Sequence, residues 1–180
     1  MTTAPPDQLL ARSINALLRD VPDFPLPGVL FKDIAPLLAD PDCFGRCIDA
    51  LAMLPGAAEA DLIAGVEARG FIVAAALARA VHAGVVPVRK AGKLPPPTMH
   101  ARYELEYGTA EIEVSAGVLE GKRVFLVDDV LATGGTLAAS VELLGQAGAS
   151  MSGLGVLIEL SALQGRSRLP GHELSALLTL

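Results

Sequence analysis

Residues 124–136 read VFLVDDVLATGGT, and few folds accommodate that order. Four apolar residues in succession read as a strand covered on both faces, as strands of parallel sheets are. The strand expected over 123–129 runs straight into Asp128 and Asp129. Two carboxylates at the end of a buried strand are costly unless something pairs with them. Thr133-Gly134-Gly135-Thr136 follows, then a helix expected over 134–148. Glycines let backbone N–H groups converge on one point, and a helix N-terminus adds partial positive charge. Threonine hydroxyls supply further donors. Residues Ala132, Thr133, Gly134, Gly135 and Thr136 therefore form a site for an anion, best suited to a phosphate monoester. Asp128 and Asp129 beside it suit the vicinal hydroxyls of a sugar, so a sugar phosphate would use both. A Walker A loop is excluded, since no Lys follows the glycines, and no GxGxxG occurs here.

The pattern of strand, helix and strand repeats along the chain. Residues 61–67 and 84–89 read as strands around a helix over 70–82, and 150–160 and 173–180 read as strands after the second helix. Two βαβ units imply an α/β fold around a central, largely parallel sheet. Ligands in such sheets bind beyond the carboxyl ends of the strands. Apolar spacing predicts an amphipathic helix over 7–19, and Asp40 with Pro41 predicts the start of another, reaching residue 54. Cys43 and Cys47 fall on its buried stripe. Three prolines in residues 21–28 argue against regular structure there. Tyr103, Leu105 and Tyr107 alternate, and Gly108-Thr109 can turn that segment into a hairpin returning through Ile112 and Val114.

Two basic groups stand near expected strand ends. Arg69, in Glu67-Ala68-Arg69-Gly70, offers a forked cation to phosphate oxygens; a surface pair with Glu67 is the alternative. Arg89, Lys90 and Lys93 form the densest basic cluster, and a solvated loop is the alternative there. At 180 residues the prior is one domain, over 1–180. A net charge of −6 lacks the basic footprint of nucleic-acid binding. No signal peptide or membrane-length apolar run is visible, and two cysteines without metal-ligand spacing suit a reducing compartment, so a cytoplasmic protein without membrane partners is expected. His82, His100 and His172 are scattered and receive no role.

The 124–136 segment resembles the phosphoribosyl pyrophosphate (PRPP) motif of type I phosphoribosyltransferases. DFPLPGVLFKDIAPLLAD (23–40), GVEARGF (65–71), VPVRKAGKLP (86–95) and YELEYGTAEIEV (103–114) resemble the adenine phosphoribosyltransferases within that family. The resemblance covers nearly the whole chain. It implies a small N-terminal hood over the base (21–38) and a flexible flap (95–115) on the type I fold. It also implies conversion of adenine and PRPP to AMP and pyrophosphate, in purine salvage, by a homodimer. Asp128, Asp129 and the 132–136 loop would hold ribose and 5′-phosphate. Arg69, Arg89, Lys90 and Lys93 would hold pyrophosphate, the Arg69 segment being a loop where the family often has a strained peptide bond. The base would lie between Phe31 and Leu160, its edge read by backbone groups of Leu30 and Lys32. Glu106, in LEYG, matches the catalytic glutamate. The cofactor implied is Mg²⁺, held mainly by PRPP rather than by a protein cage. Two alternatives remain: transfer to hypoxanthine, xanthine or orotate, and a non-catalytic regulator that senses nucleotides.

Overall fold

The computed structural model describes residues 8–104 and 108–180. Helix α1 (Gln8–Leu17) buries Leu10 and Ile14 and stops two residues before its expected end, because Arg19 already belongs to a strand. That strand, β1 (Arg19–Pro22), pairs antiparallel with β2 (Leu30–Asp33), from Arg19↔Asp33 to Pro22↔Leu30. Regular structure thus reaches Val21 and Pro22, where the prolines argued against it. Pro22 sits at the end of a two-stranded ribbon, a position where a residue without an N–H is tolerated. Asp23 Oδ1 accepts from Gly28 N at 2.7 Å and closes the connecting loop, which contains a cis Phe24–Pro25 bond.

A five-residue helix, α2 (Ala35–Ala39), had no sequence signal. It leads into α3 (Pro41–Ala52), where Asp40 caps as expected, accepting from Cys43 N at 2.8 Å. Cys43 and Cys47 are buried, free thiols, and burial pushes Cys47 up to about 12.

Strands β3 (Leu62–Val66), β4 (Gly84–Lys90), β7 (Arg123–Leu131), β8 (Ser150–Glu159) and β9 (Leu174–Thr179) run parallel. An antiparallel hairpin, β5 (Thr98–Glu104) and β6 (Thr109–Ser115), adds to the β4 edge. The order is β5-β6-β4-β3-β7-β8-β9. The hairpin begins immediately after Pro97, earlier than the alternation from Tyr103 indicated. Helix α4 (Gly70–Val81) joins β3 to β4, and α5 (Gly135–Gln146) joins β7 to β8. His82, for which the sequence offered no role, ends α4 in a left-handed conformation with φ 58°.

Helices cover both faces of the sheet. Phe125 and Val127 point into a core with α1, α3 and α4 residues; Val124 and Leu126 point into a second core with α5. This period-2 division along one strand accounts for its uninterrupted apolar run. Chain direction across the sheet reverses between β3 and β7, since β3 leads outward to β4 while β7 leads the other way to β8 and β9. Open α/β sheets bind ligands at such a switch point, outside the strand ends.

Candidate active site

A cavity of about 460 Å³ opens at that switch point. Its walls are Val29, Leu30, Phe31 and Lys32, Val66 at the end of β3 with the Glu67–Ala68–Arg69 turn after it, and Asp128, Asp129 and Val130 of β7. Ala132, Thr136, Leu160 and Leu163 complete it. Four separate stretches of sequence, 29–32, 66–69, 128–136 and 160–163, thus meet around one space. Arg89, Lys90, Lys93, Thr133, Gly134 and Gly135 lie outside this wall. Glu106 falls outside the described residues.

Phe31 and Leu160 both face the cavity, and Phe31 is braced edge-on by Phe24 at 5.1 Å between centroids. Two flat or apolar walls suit a planar aromatic ligand. Lys32 turns its ammonium away, to Asp20 Oδ1 at 2.6 Å, which holds β2 to β1.

Strand β7 does not end at the carboxylates, as the sequence reading had it. It continues through Val130 and Leu131, because β8 is long enough to pair with both. Asp129 is 4% exposed. Its Oδ2 lies 2.6 Å from Arg69 Nε, an ion pair in distance, yet among the described residues no N–H is aimed at that oxygen well enough for a hydrogen bond. A buried acceptor with charge compensation but without an aligned donor is ready for a ligand hydroxyl. Asp128 is half-buried and accepts from the Asp129 N–H at 2.9 Å. Burial, then the neighbouring Asp129 charge, push the Asp128 carboxyl well above the usual range. Gly70 leaves room for this carboxyl where it stands, since a Cβ there would sit 2.8 Å from Asp128 Oδ1.

That raised pKa has a stability consequence. Native Asp128 binds its proton more tightly than the unfolded chain does, so stability falls as pH rises from the unfolded value, about 3.9, through the folded one. Asp128→Asn keeps the shape without the charge. Its Tm is expected to exceed wild type at neutral pH, with the gap closing as pH approaches about 4. Thermal melts across that range check this; a gap independent of pH contradicts it.

Arg69 does not pair with Glu67. Its guanidinium carbon lies 4.9 Å from the Phe31 ring centroid while Nε meets Asp129, so it bridges the aromatic wall and the carboxylates. Glu67 instead accepts from Arg89 Nε at 3.2 Å and Lys90 N at 3.0 Å. The Glu67–Ala68 peptide between them is cis.

The 132–136 loop is seated on a segment the sequence did not flag. Gly134 has φ 79°, and a Cβ there would lie 2.3 Å from the Gly165 carbonyl oxygen. A Cβ on Gly165 would lie 2.3 Å from the Ala132 carbonyl oxygen. The two backbones approach this closely only because both residues are glycine. Arg166 then anchors the Gly165 segment by a fork onto Glu159, Nε and Nη2 each at 2.7 Å, with Nη1 on Leu174 O at 2.6 Å. Tyr103 of the hairpin reaches over α5, its hydroxyl 3.1 Å from Thr136 Oγ1. Glu67, Gly165 and Tyr103 were missed as site residues because their significance lies in tertiary partners. Only Tyr103 carried a signal, its place in the alternation.

Similarity to known proteins agrees with this geometry. The phosphoribosyl transferase domain family matches residues 41–170. An adenine phosphoribosyltransferase of Acidothermus cellulolyticus is 55% identical over 166 residues, 92% of this chain and 94% of that protein. One of Kineococcus radiotolerans is 52% identical over 180 residues, 99% of this chain and 97% of that protein. The crystal structure of adenine phosphoribosyltransferase from Rhodothermus marinus matches with TM-score 0.92 at 44% identity, over 97% of this chain and 100% of that one. The enzyme from Saccharomyces cerevisiae, complexed with an imino-altritol bisphosphate and adenine, matches with TM-score 0.85 at 37% identity, over 95% and 99% of the two chains.

Proposed function

The chain belongs to the adenine phosphoribosyltransferase family, of type I fold, and on that premise we propose how its residues convert adenine and PRPP to AMP and pyrophosphate. The observation that carries the proposal is the single cavity joining the Phe31 and Leu160 walls to Asp128, Asp129 and the first turn of α5. The yeast relative holds adenine together with a bisphosphate sugar analogue, a pair of ligands with the chemistry these walls call for.

Adenine lies between Phe31 and Leu160, with backbone groups of Leu30 and Lys32 on its edge. The 5′-phosphate rests on Ala132, Thr133, Gly134, Gly135 and Thr136, and the ribose hydroxyls donate to Asp128 and Asp129. Arg69, Arg89, Lys90 and Lys93 hold the pyrophosphate. N9 attacks the anomeric carbon as pyrophosphate departs from the opposite face. Positive charge grows on the ring, as in glycoside hydrolysis, beside the buried carboxylates. Glu106 handles the proton at the purine, and the flap excludes water that would hydrolyse the activated sugar. Binding energy at the remote 5′-phosphate positions the reacting carbon.

Among the described residues no group of three or more His, Cys, Asp or Glu side chains could hold a metal. With Asp129 Oδ2 beside the Arg69 guanidinium, the residues present fit Mg²⁺ only as an ion that would be held mainly by PRPP, Asp128 and Asp129 meeting the ribose hydroxyls. Mg²⁺, when bound, supplies charge neutralisation at the diphosphate. The family resemblance supports a cytoplasmic homodimer.

The direct test is incubation of the full chain with adenine, PRPP and Mg²⁺, following AMP and pyrophosphate together. Equal amounts of both are expected, and removal of Mg²⁺ by chelation is expected to stop the reaction. Pyrophosphate without AMP would mean hydrolysis instead of transfer. Gly134→Ala tests the phosphate loop. Left-handed backbone costs an L-residue about 1–2 kcal/mol, roughly a factor of ten, before the contact with Gly165 is counted. KM for PRPP is expected to rise by at least that factor in steady-state kinetics; an unchanged KM contradicts the loop's assignment.

A further inference from the structure

We propose that Glu113 is a positioning residue for pyrophosphate: its buried carboxylate grips the backbone of the 90–94 loop and so fixes where Lys93 presents its charge. The inference rests on the reading that Arg89, Lys90 and Lys93 hold pyrophosphate. Glu113 lies on β6 and is 1% exposed. Its register partners are Arg89 on β4 and His100 on β5, so it sits where three strands meet. Its Oε1 accepts from Lys93 N at 2.6 Å and from Leu94 N at 2.7 Å. Arg89 Nη1 donates to the Lys93 carbonyl at 3.0 Å, so both sides of that residue's backbone are held.

The other end of the loop repeats the device. Glu67 Oε2 accepts from Lys90 N at 3.0 Å and from Arg89 Nε. A carboxylate beside a lysine ordinarily takes the ammonium. Here the two carboxylates that border the loop take backbone N–H groups and the Arg89 guanidinium. Among the described residues no ion pair involves Lys90 or Lys93, and both side chains are exposed. The loop is therefore fixed in backbone while its two ammonium groups stay available to an anion. Burial pushes the Glu113 carboxyl up, but the N–H groups of Leu94, Lys93 and Gly92 outweigh it and hold it below its usual range. Charged, it makes short, strong bonds of the kind a neutral amide cannot. His100, 3.9 Å from the second carboxylate oxygen, adds to the same balance.

Calorimetric titration of the full chain with magnesium pyrophosphate, and separately with AMP, distinguishes this role from a merely structural one. AMP uses the base walls and the phosphate loop but not the 90–94 loop. Glu113→Gln is expected to weaken pyrophosphate about tenfold or more, since small displacements of a positioning group cost up to about a hundredfold, while AMP binds as in wild type. Lys93→Ala is the reference and is expected to weaken pyrophosphate alone. Normal pyrophosphate affinity in Glu113→Gln with a loss in Lys93→Ala overturns the inference and leaves the loop reading standing. No loss in Lys93→Ala overturns both. Equal losses for AMP and pyrophosphate in Glu113→Gln make Glu113 a structural residue only. If that variant fails to fold, Glu113→Asp, which keeps the charge but draws it back from Lys93 N, is judged by the same contrast.

Discussion

Glu106→Gln is expected to lower kcat by about 10²–10⁴-fold and to leave PRPP affinity unchanged, the range for removal of a general acid–base group without a change of shape. Attack by N9 and release of the nucleotide require a proton to move at the purine, and Gln cannot exchange one. The competing view is that Glu106 is an ordinary charged residue of a hairpin segment. On that view the substitution shifts stability by no more than about 0.5 kcal/mol and leaves activity alone. Glu104, two residues earlier and equally acidic, matches no catalytic position in the family and provides the control. Steady-state kinetics and PRPP binding on both Gln variants decide the matter. A large kcat loss at 106 with none at 104 is expected. Small, equal effects contradict the catalytic assignment.

The parts of the site that could be read from sequence are those whose physics is local. The apolar run ending in Asp128 and Asp129, and the Gly134-Gly135 turn into α5, announce themselves because strand, turn and helix follow one another in the chain. Asp40 and Pro41 announce α3 for the same reason, and the structure shows the cap bond to Cys43 N. What could not be read depends on partners distant in sequence. The alternative pairing of Arg69 with Glu67, two residues before it, is not the one the fold makes: Glu67 meets Arg89, and Arg69 meets Asp129, sixty positions away. Gly165 carried no local signal, yet its backbone is the seat of the 132–136 loop. Glu113, between Ile112 and Val114 on the returning strand, carried no signal, because period 2 says which residues share a face but not which face a neighbouring loop covers. The ribbon of β1 and β2 was obscured by its prolines, since their penalty falls on ladder N–H groups and a two-stranded edge needs few of them.

Base choice tests the central claim, that one cavity unites an adenine-selective slot with a PRPP site. Adenine presents an amino donor and a ring-nitrogen acceptor along the edge proposed to face the Leu30 and Lys32 backbone. Hypoxanthine and guanine present a carbonyl acceptor and an N–H donor at the same places. The fit of the ring between Phe31 and Leu160 would be retained, but the reversed edge would leave buried backbone groups facing groups of the same kind. Sites built around hydrogen bonds reject such mismatches strongly, so a loss of at least about a hundredfold in kcat/KM is expected. The measurement is pyrophosphate release from PRPP with adenine, hypoxanthine, guanine, xanthine and orotate in turn, under one set of conditions. Rapid release with adenine, and release at least about a hundredfold less efficient with every other base, is the predicted result; comparable turnover of hypoxanthine would contradict the adenine slot and leave only a phosphoribosyltransferase of broader choice.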